Sequence, residues 1–382
     1  MDLYSKINAE LEHYKKDKAF RFLKKQEAPT SNTINLSSND YLGIAQSKKN
    51  LEEFYFENPN IALTASSSRL LDGNHNYYNK VEKKLSDLYK SESALFFNSG
   101  YHLNIGVLPS LTKKTDLILA DKLVHTSIIE ALKLSPAKNI RYKHLDYIQL
   151  EYLLKKYSGV YDNIFIVSES VFSMDGDFAD LQKLVNLKNK YKTYLYIDEA
   201  HAVGAIGTKG LGLAEKTGLI NEIDFLVGTM GKALASVGAY LICKANVKSY
   251  LINNCKSLIY TTALPPINVA WSSFIIDKST KLNKERKLLS EISTYIKDKL
   301  TTGGIKVIGS TYILALIIGE NSKCLDLSTY LQENNIKVQA IRPPTVPTGT
   351  SRIRISLHVN LTYAELDKVA QLIIAYANRI SL

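Results

Sequence analysis

Tyr194-Leu-Tyr-Ile-Asp-Glu-Ala-His-Ala-Val-Gly204 is followed downstream by Val227-Gly-Thr-Met-Gly-Lys-Ala-Leu-Ala-Ser-Val-Gly-Ala239. An apolar run that stops at an acid reads as a buried strand with Asp198 at its carboxyl end. A lysine between small residues, with Gly228 and Gly231 close by, reads as a tight loop carrying Lys232. Working outward, Ser93–Phe97, Leu117–Ala120, Asn163–Val167, Tyr194–Ile197 and Phe225–Val227 are short apolar runs separated by helical segments. Such alternation predicts an α/β fold with a mostly parallel sheet and helices on both faces. Ligands of such sheets gather at the carboxyl ends of strands, where Asp198 and Ser168 fall.

The ends of the chain read differently. Residues 1–25 predict a helix, with Ile7, Leu11, Tyr14 and Phe20 at helical spacing, and Asn35–Gly43 a short strand running into a turn. Tyr77–Tyr89 is amphipathic and helical. After Ala263-Leu-Pro-Pro266 comes a long charged helix, Trp271–Leu300, then strands near Ile305–Ile308, Tyr312–Ile318 and Arg352–Ser356, and a last helix, Tyr363–Ala377. The expected organisation is an N-terminal helical arm over 1–40, a large domain over 41–270 and a smaller α+β domain over 271–382.

Composition excludes several classes. Of 382 residues, 45% are hydrophobic and 22% charged, an ordinary globular balance. No apolar run approaches the ~20 residues of a membrane span. The first residues, Met1–Glu10, are charged and lack the apolar core of a signal peptide, so the expected location is the cytoplasm. Cys243, Cys255 and Cys324 show neither metal-ligand nor disulfide spacing, and no metal is expected. The net charge of +11 is spread along amphipathic segments rather than gathered on a nucleic-acid-binding face. Its one local cluster is Lys15, Lys16, Lys18, Arg21, Lys24 and Lys25, read as a solvated helix face or a landing site for an acidic partner.

Lys232 and Asp198 together suit pyridoxal 5′-phosphate (PLP): the amine forms a Schiff base, and the carboxylate keeps the pyridine nitrogen protonated so the ring accepts electrons. Taken singly, each residue reads as a buried strand end or a surface lysine. Asn98-Ser-Gly-Tyr101 opens a helix, and exposed amides there, with Gly100 allowing close approach, favour a phosphate. His125, at another helix start, is placed to stack on a ring or to serve as a structural histidine. In Ser168–Asp177, Ser173 is a hydrogen-bond donor for a cofactor oxygen, while the nearby acids also suit helix caps. Thr229, in the tight loop marked by Gly228 and Gly231, is read as a phosphate ligand rather than an indifferent surface residue. Arg342, Arg352 and Arg354 flank a proline-stiffened loop; one is read as gripping a carboxylate through paired hydrogen bonds, the others as structural.

Ser38-Asn-Asp-Tyr-Leu-Gly43, Asn98-Ser-Gly-Tyr101, Ser170-Val-Phe-Ser-Met-Asp-Gly176, Asp198–Gly204, Gly228-Thr-Met-Gly-Lys232 and Ile341-Arg-Pro-Pro-Thr-Val-Pro347 stand in an order that resembles the α-oxoamine synthase family. The resemblance runs from about Leu36 to the C-terminus. It implies a PLP-dependent transferase (aspartate aminotransferase-like) fold and a homodimer with shared active sites. By motif it gives Lys232 as the PLP lysine, Asp198 as the partner of the ring nitrogen and His125 as the stacking ring. His201 and Ser173 fall on the phenolic oxygen, and Gly100, Tyr101 and Thr229 on the phosphate. Thr261 would reach the phosphate of the other subunit. Arg354, helped by Asn39, would bind the amino-acid carboxylate, while Arg21 and Thr345 fall on substrate.

Ala340–Pro347 and Ile259–Pro266 point to the branch that condenses L-alanine with a pimeloyl thioester, on coenzyme A or acyl carrier protein, for biotin synthesis. Rival readings are a glycine-using 2-amino-3-ketobutyrate coenzyme A ligase, a long-chain acyl synthase, an aminotransferase, and a regulatory protein that would need an added DNA-binding domain. Two departures, Thr64-Ala-Ser-Ser-Ser-Arg69 in place of a glycine-rich stretch and Tyr78 in place of a common histidine, bear on substrate preference. No membrane or nucleic-acid partner is expected.

Overall fold

The computed structural model describes residues 2–21, 23 and 33–380. Lys24 and Lys25 of the basic cluster lie outside the described residues. The chain forms two compact units, one of residues 42–173 and 178–287, the other of 1–41, 174–177 and 288–382.

The larger unit is built on a seven-stranded sheet in the order Ser93–Phe97, Ala239–Cys243, Phe225–Thr229, Tyr194–Asp198, Ile164–Glu169, Leu117–Asp121, Lys138–Tyr142. Ala239–Cys243 is antiparallel to both its neighbours and the other pairs are parallel. Leu117–Asp121, Ile164–Glu169 and Phe225–Thr229 are buried at every position, as strands covered on both faces must be, and this is why they read as continuous apolar runs. Two strands escape the sequence reading. Lys138-Asn-Ile-Arg-Tyr142 lies at the sheet edge and is mostly exposed, so it carries no apolar run. Ala239–Cys243 merges in sequence with the small residues of the lysine loop.

Parallel register has one consequence for chemistry. Asp121, Glu169, Asp198 and Thr229 are the last residues of four neighbouring strands and therefore emerge at one end of the sheet. Ser93–Phe97 runs the same way and delivers the chain into the helix Gly100–Leu111, whose Ser99 cap accepts from the His102 N–H at 3.2 Å.

The expected single helix Trp271–Leu300 is two, Pro266–Ser279 and Asn283–Thr302. Arg286 explains the break. Its buried guanidinium donates to the Ser279 carbonyl at 2.8 Å and the Thr208 carbonyl at 2.7 Å, taking a helix-end acceptor that a continuous helix would need. Residues 271–287, assigned above to the small domain, belong to the larger unit. Trp271 packs edge-on to Phe54 and its indole N–H donates to the Ala235 carbonyl at 2.9 Å. The N-terminal helix is likewise shorter than expected, Leu3–Lys16, because Lys18 turns into the left-handed region at φ 52°.

In the smaller unit, Gln339–Ile341, Ser351–Ser356, Ile313–Gly319 and Val307–Ile308 form an antiparallel sheet in that order, and Ile34–Asn35 pairs in parallel with Ile336–Lys337. The short segment 174–177 belongs here: Asp175, half-buried, pairs with the buried Arg352, and the Gly176 carbonyl accepts from the Ser310 N–H at 3.0 Å. Gly176 has φ 69°, and a Cβ there would meet the Ile313 carbonyl oxygen at 1.9 Å. Gly176→Ala is therefore expected to cost roughly 2 kcal/mol or more, read as a fall in the urea midpoint with an unchanged slope. No described helix is long and apolar enough to cross a membrane.

Candidate active site

Lys232 sits, half-buried, in the tight loop that its glycine-rich flanks predict. Met230 N–H donates to the Gly238 carbonyl and Ser236 N–H to the Met230 carbonyl, both at 2.9 Å, while Ala235 N–H closes a turn on the Lys232 carbonyl at 2.9 Å. Ala235 takes φ 44°, a left-handed conformation uncommon outside glycine. Thr229 Oγ1 donates to the Gly238 carbonyl at 3.2 Å and accepts weakly from the Gly231 N–H at 3.4 Å, tying the strand end to the loop. A Cβ on Gly228 would strike the Tyr240 ring at 2.2 Å, so this glycine is there for packing.

Asp198 is buried at 5% exposure with both carboxylate oxygens engaged. Oδ2 accepts from Asn104 Nδ2 and Oδ1 from the Ala200 N–H, each at 2.9 Å. Asn104 is oriented in turn: its Oδ1 accepts from the Tyr196 hydroxyl at 2.6 Å and its Nδ2 also donates to Ser127 Oγ at 2.9 Å. The sequence reading gives Asn104 no role. The signal was its place one helical turn after Gly100, on the same helix face.

Ser127 leads on to His125, whose Nδ1 lies 2.8 Å from Ser127 Oγ and accepts from the Ser127 N–H at 3.2 Å. His125 is itself exposed, but its ring lies among protein groups that partly desolvate it. That desolvation pushes its pKa down; the Asp198 carboxylate pulls it up and the Lys232 ammonium presses it down again, so both charges act on this ring. The His125 N–H donates to the Glu169 carboxylate. Glu169 is a second residue that sequence reasoning left without a role of its own, because its neighbours come from adjacent strands and not from adjacent positions.

At the start of the helix Gly100–Leu111, a Cβ added to Gly100 would find Thr229 Oγ1 at 4.0 Å and nothing nearer, which leaves an open cradle between helix amides and hydroxyl. Tyr101, exposed, follows. Thr261 lies by the Asn98 amide of its own chain at 3.2 Å. Tyr78 steadies that segment: its hydroxyl accepts from the Leu264 N–H at 2.8 Å, with the Arg69 guanidinium 3.9 Å above its ring. Ser173 and His201 are both buried, Ser173 shortly after the strand Ile164–Glu169 and His201 in the turn after Asp198. Asp180, just beyond the Ser168–Asp177 turn, caps the next helix, Leu181–Tyr191, accepting from the Lys183 N–H at 3.0 Å.

In the smaller unit the three arginines separate by partner. Arg352 is paired with Asp175, and Arg342 donates to the Lys18 carbonyl. Arg354, 7% exposed, sends both terminal nitrogens to Asn39 Oδ1 at 3.2 Å and one to Ser356 Oγ at 2.7 Å. Tyr41 also donates to Asn39 Oδ1, at 3.1 Å, and burial pushes its pKa up to about 12. Arg21 Nη2 donates to Thr345 Oγ1 at 2.7 Å, joining two residues that the sequence reading assigned to substrate.

Residues 31–373 match the family described as aminotransferase class I and II. A Glaesserella parasuis protein, provisionally named 8-amino-7-oxononanoate synthase, is 49% identical over 336 residues, 87% of this chain and 88% of its own. A Neisseria meningitidis protein of the same provisional name is 49% identical over 341 residues, 88% and 90% of the two chains. Among solved structures, serine palmitoyltransferase from S. paucimobilis superposes with TM-score 0.92 at 25% identity, covering 100% of both chains. The 8-amino-7-oxononanoate synthase of Francisella tularensis gives 0.77 at 26% identity, covering 92% of this chain and 100% of that one. The chain belongs to the aminotransferase class I and II family, and within it to the α-oxoamine synthases, which are PLP-dependent acyl-transferring enzymes. Its residues fit the cofactor: a buried, doubly hydrogen-bonded carboxylate, a loop lysine whose charge reaches the same imidazole, and an open helix N-terminus facing a hydroxyl.

Proposed function

From that membership we propose that the enzyme condenses L-alanine with a pimeloyl thioester, releasing carbon dioxide and the thiol carrier, to give 8-amino-7-oxononanoate for biotin synthesis. The observation that carries this reading is the Asp198–Asn104–Tyr196 relay, which fixes an anion at the strand end beside His125 and the Lys232 loop. The provisional names of its relatives support the substrate pair.

PLP, when bound, supplies an electron sink for the charge that develops on the amino-acid α-carbon. Asp198 holds a proton on the ring nitrogen, and its two donors keep its orientation fixed in a dry site. Lys232 Nζ holds the cofactor and moves the α-proton. His125 would stack on the cofactor ring, with Ser173 and His201 contacting its oxygen. Gly100, Tyr101 and Thr229 bind the phosphate, joined by Thr261 from a second copy of the chain in a homodimer. Arg354, held in orientation by Asn39, grips the alanine carboxylate, while Arg21 and Thr345 contact the acyl thioester. The proposed enzyme works in the cytoplasm, with an arm over 1–40 and the PLP site in the large domain.

The test is to mix purified protein, PLP, alanine and pimeloyl thioester and to weigh the product. A mass corresponding to 8-amino-7-oxononanoate is expected, and turnover with glycine in place of alanine would overturn the assignment. Arg354→Lys keeps the charge but loses the planar fork. It is expected to raise the KM for alanine by about 10- to 100-fold, the equivalent of one or two charged hydrogen bonds, with a smaller change in the KM for thioester.

A further inference from the structure

Three acids close adjacent strands at the catalytic end of the sheet: Asp121, Glu169 and Asp198. Asp121 accepts from the N–H groups of Leu123 at 2.8 Å and Leu145 at 2.9 Å and lies 2.9 Å from His144 Nδ1. Asp198 has its two donors. Glu169 stands directly across the ladder from Asp198 at 3% exposure and receives the His125 N–H on Oε1. We infer that Glu169 is a positioning residue for the reaction: it fixes the chain entering the His125 segment, and it does so as an uncharged hydrogen-bonding group beside the Asp198 anion.

The geometry leaves little room for a second anion. A carboxylate in a dry site repels its neighbours far more strongly than it would in water. The groups facing Glu169 are Asp198 on one strand, Asp121 on the other, His125 across the loop and the Lys232 ammonium. Burial pushes the Glu169 pKa well above the carboxylate range and Asp198 pushes it further; Lys232 and the His125 N–H pull it down, and Asp121 adds a smaller upward push. With a proton on Oε2, Glu169 keeps Oε1 for the His125 N–H and leaves Asp198 as the charge that the cofactor nitrogen meets.

This inference rests on the PLP assignment but not on the identity of the acyl substrate, and its test separates the two. The holoenzymes of wild type, Glu169→Gln, Glu169→Asp and Glu169→Leu are compared for PLP dissociation constant, for the pH titration of the visible cofactor band, and for thermal midpoint. Glutamine keeps an uncharged acceptor at the same reach. It is expected to stay within about threefold of wild type in PLP affinity and to leave the band titration within about 0.3 pH unit. Aspartate is one methylene short and leucine has no acceptor. Each is expected to weaken PLP binding by about tenfold or more as the His125 segment loosens, in line with losses seen when a group supporting a bound cofactor or metal ligand is removed. Should leucine fail to fold, the glutamine and aspartate pair still decides.

A downward shift of about one pH unit in the glutamine variant would show that an anion had been removed from beside Lys232, and would overturn the inference. So would a glutamine variant as impaired as the aspartate one, or a folded leucine variant with wild-type affinity. None of these readings needs an acyl donor, so a wrong product assignment would leave the comparison standing.

Discussion

Lys232→Ala is expected to abolish the visible absorbance band of covalently held PLP and to lower turnover by roughly 10³-fold or more, because in the proposed mechanism one amine serves as both anchor and proton carrier. The loop around it should survive. Its hydrogen bonds run through backbone groups of Met230, Ala235, Ser236 and Gly238 and through Thr229 Oγ1, none of which needs the lysine side chain. The thermal midpoint of the cofactor-free protein should therefore move little. Retention of the band in the alanine variant would reject Lys232 as the anchor. Loss of the band together with global unfolding would instead mean that the lysine has a structural duty.

Asp198→Asn is expected to cost about 10²- to 10³-fold in turnover, the size found when a preorganised electrostatic group is removed from an active site. The replacement is nearly isosteric, so packing is preserved, but its amide offers one acceptor oxygen where the carboxylate had two. Asn104 Nδ2 or the Ala200 N–H must then face an NH₂ group. Leaving a buried donor without its acceptor costs about 1–3 kcal/mol, so the variant should also be measurably less stable. Substrate KM should change far less than kcat, since the proposed mechanism has Asp198 act on the cofactor nitrogen and not on the amino acid. A variant with normal kcat would remove Asp198 from the mechanism.

The part of the fold legible in sequence is the part set by single-strand chemistry. Leu117–Asp121, Ile164–Glu169 and Phe225–Thr229 announce themselves because burial on both faces demands unbroken apolar runs. Lys138–Tyr142 could not, since most of its side chains are exposed and need not be apolar. The break between Pro266–Ser279 and Asn283–Thr302 was hidden because its cause, the Arg286 guanidinium, takes carbonyls from residues as remote as Thr208. The same division runs through the site. Lys232 and Asp198 stand out because their flanking residues are unusual. Asn104 and Glu169 do not, because each acts on a residue brought near by strand order. The three arginines near the proline loop are alike in sequence and diverge only by partner: Asp175 for Arg352, the Lys18 carbonyl for Arg342, Asn39 for Arg354.

The patchwork make-up of the smaller unit bears on how the polypeptide matures at the ribosome. Its first forty or so residues emerge at the outset, its internal tetrapeptide 174–177 midway, and the bulk of it, 288–382, last of all. Translation thus delivers all of 42–173 and 178–287 while Asp175 still awaits Arg352, so nascent chains must carry an unmatched acid until the final tenth of synthesis. A message cut short near codon 340 would strand that acid permanently, and such truncation products should be prominent clients of chaperones and proteases.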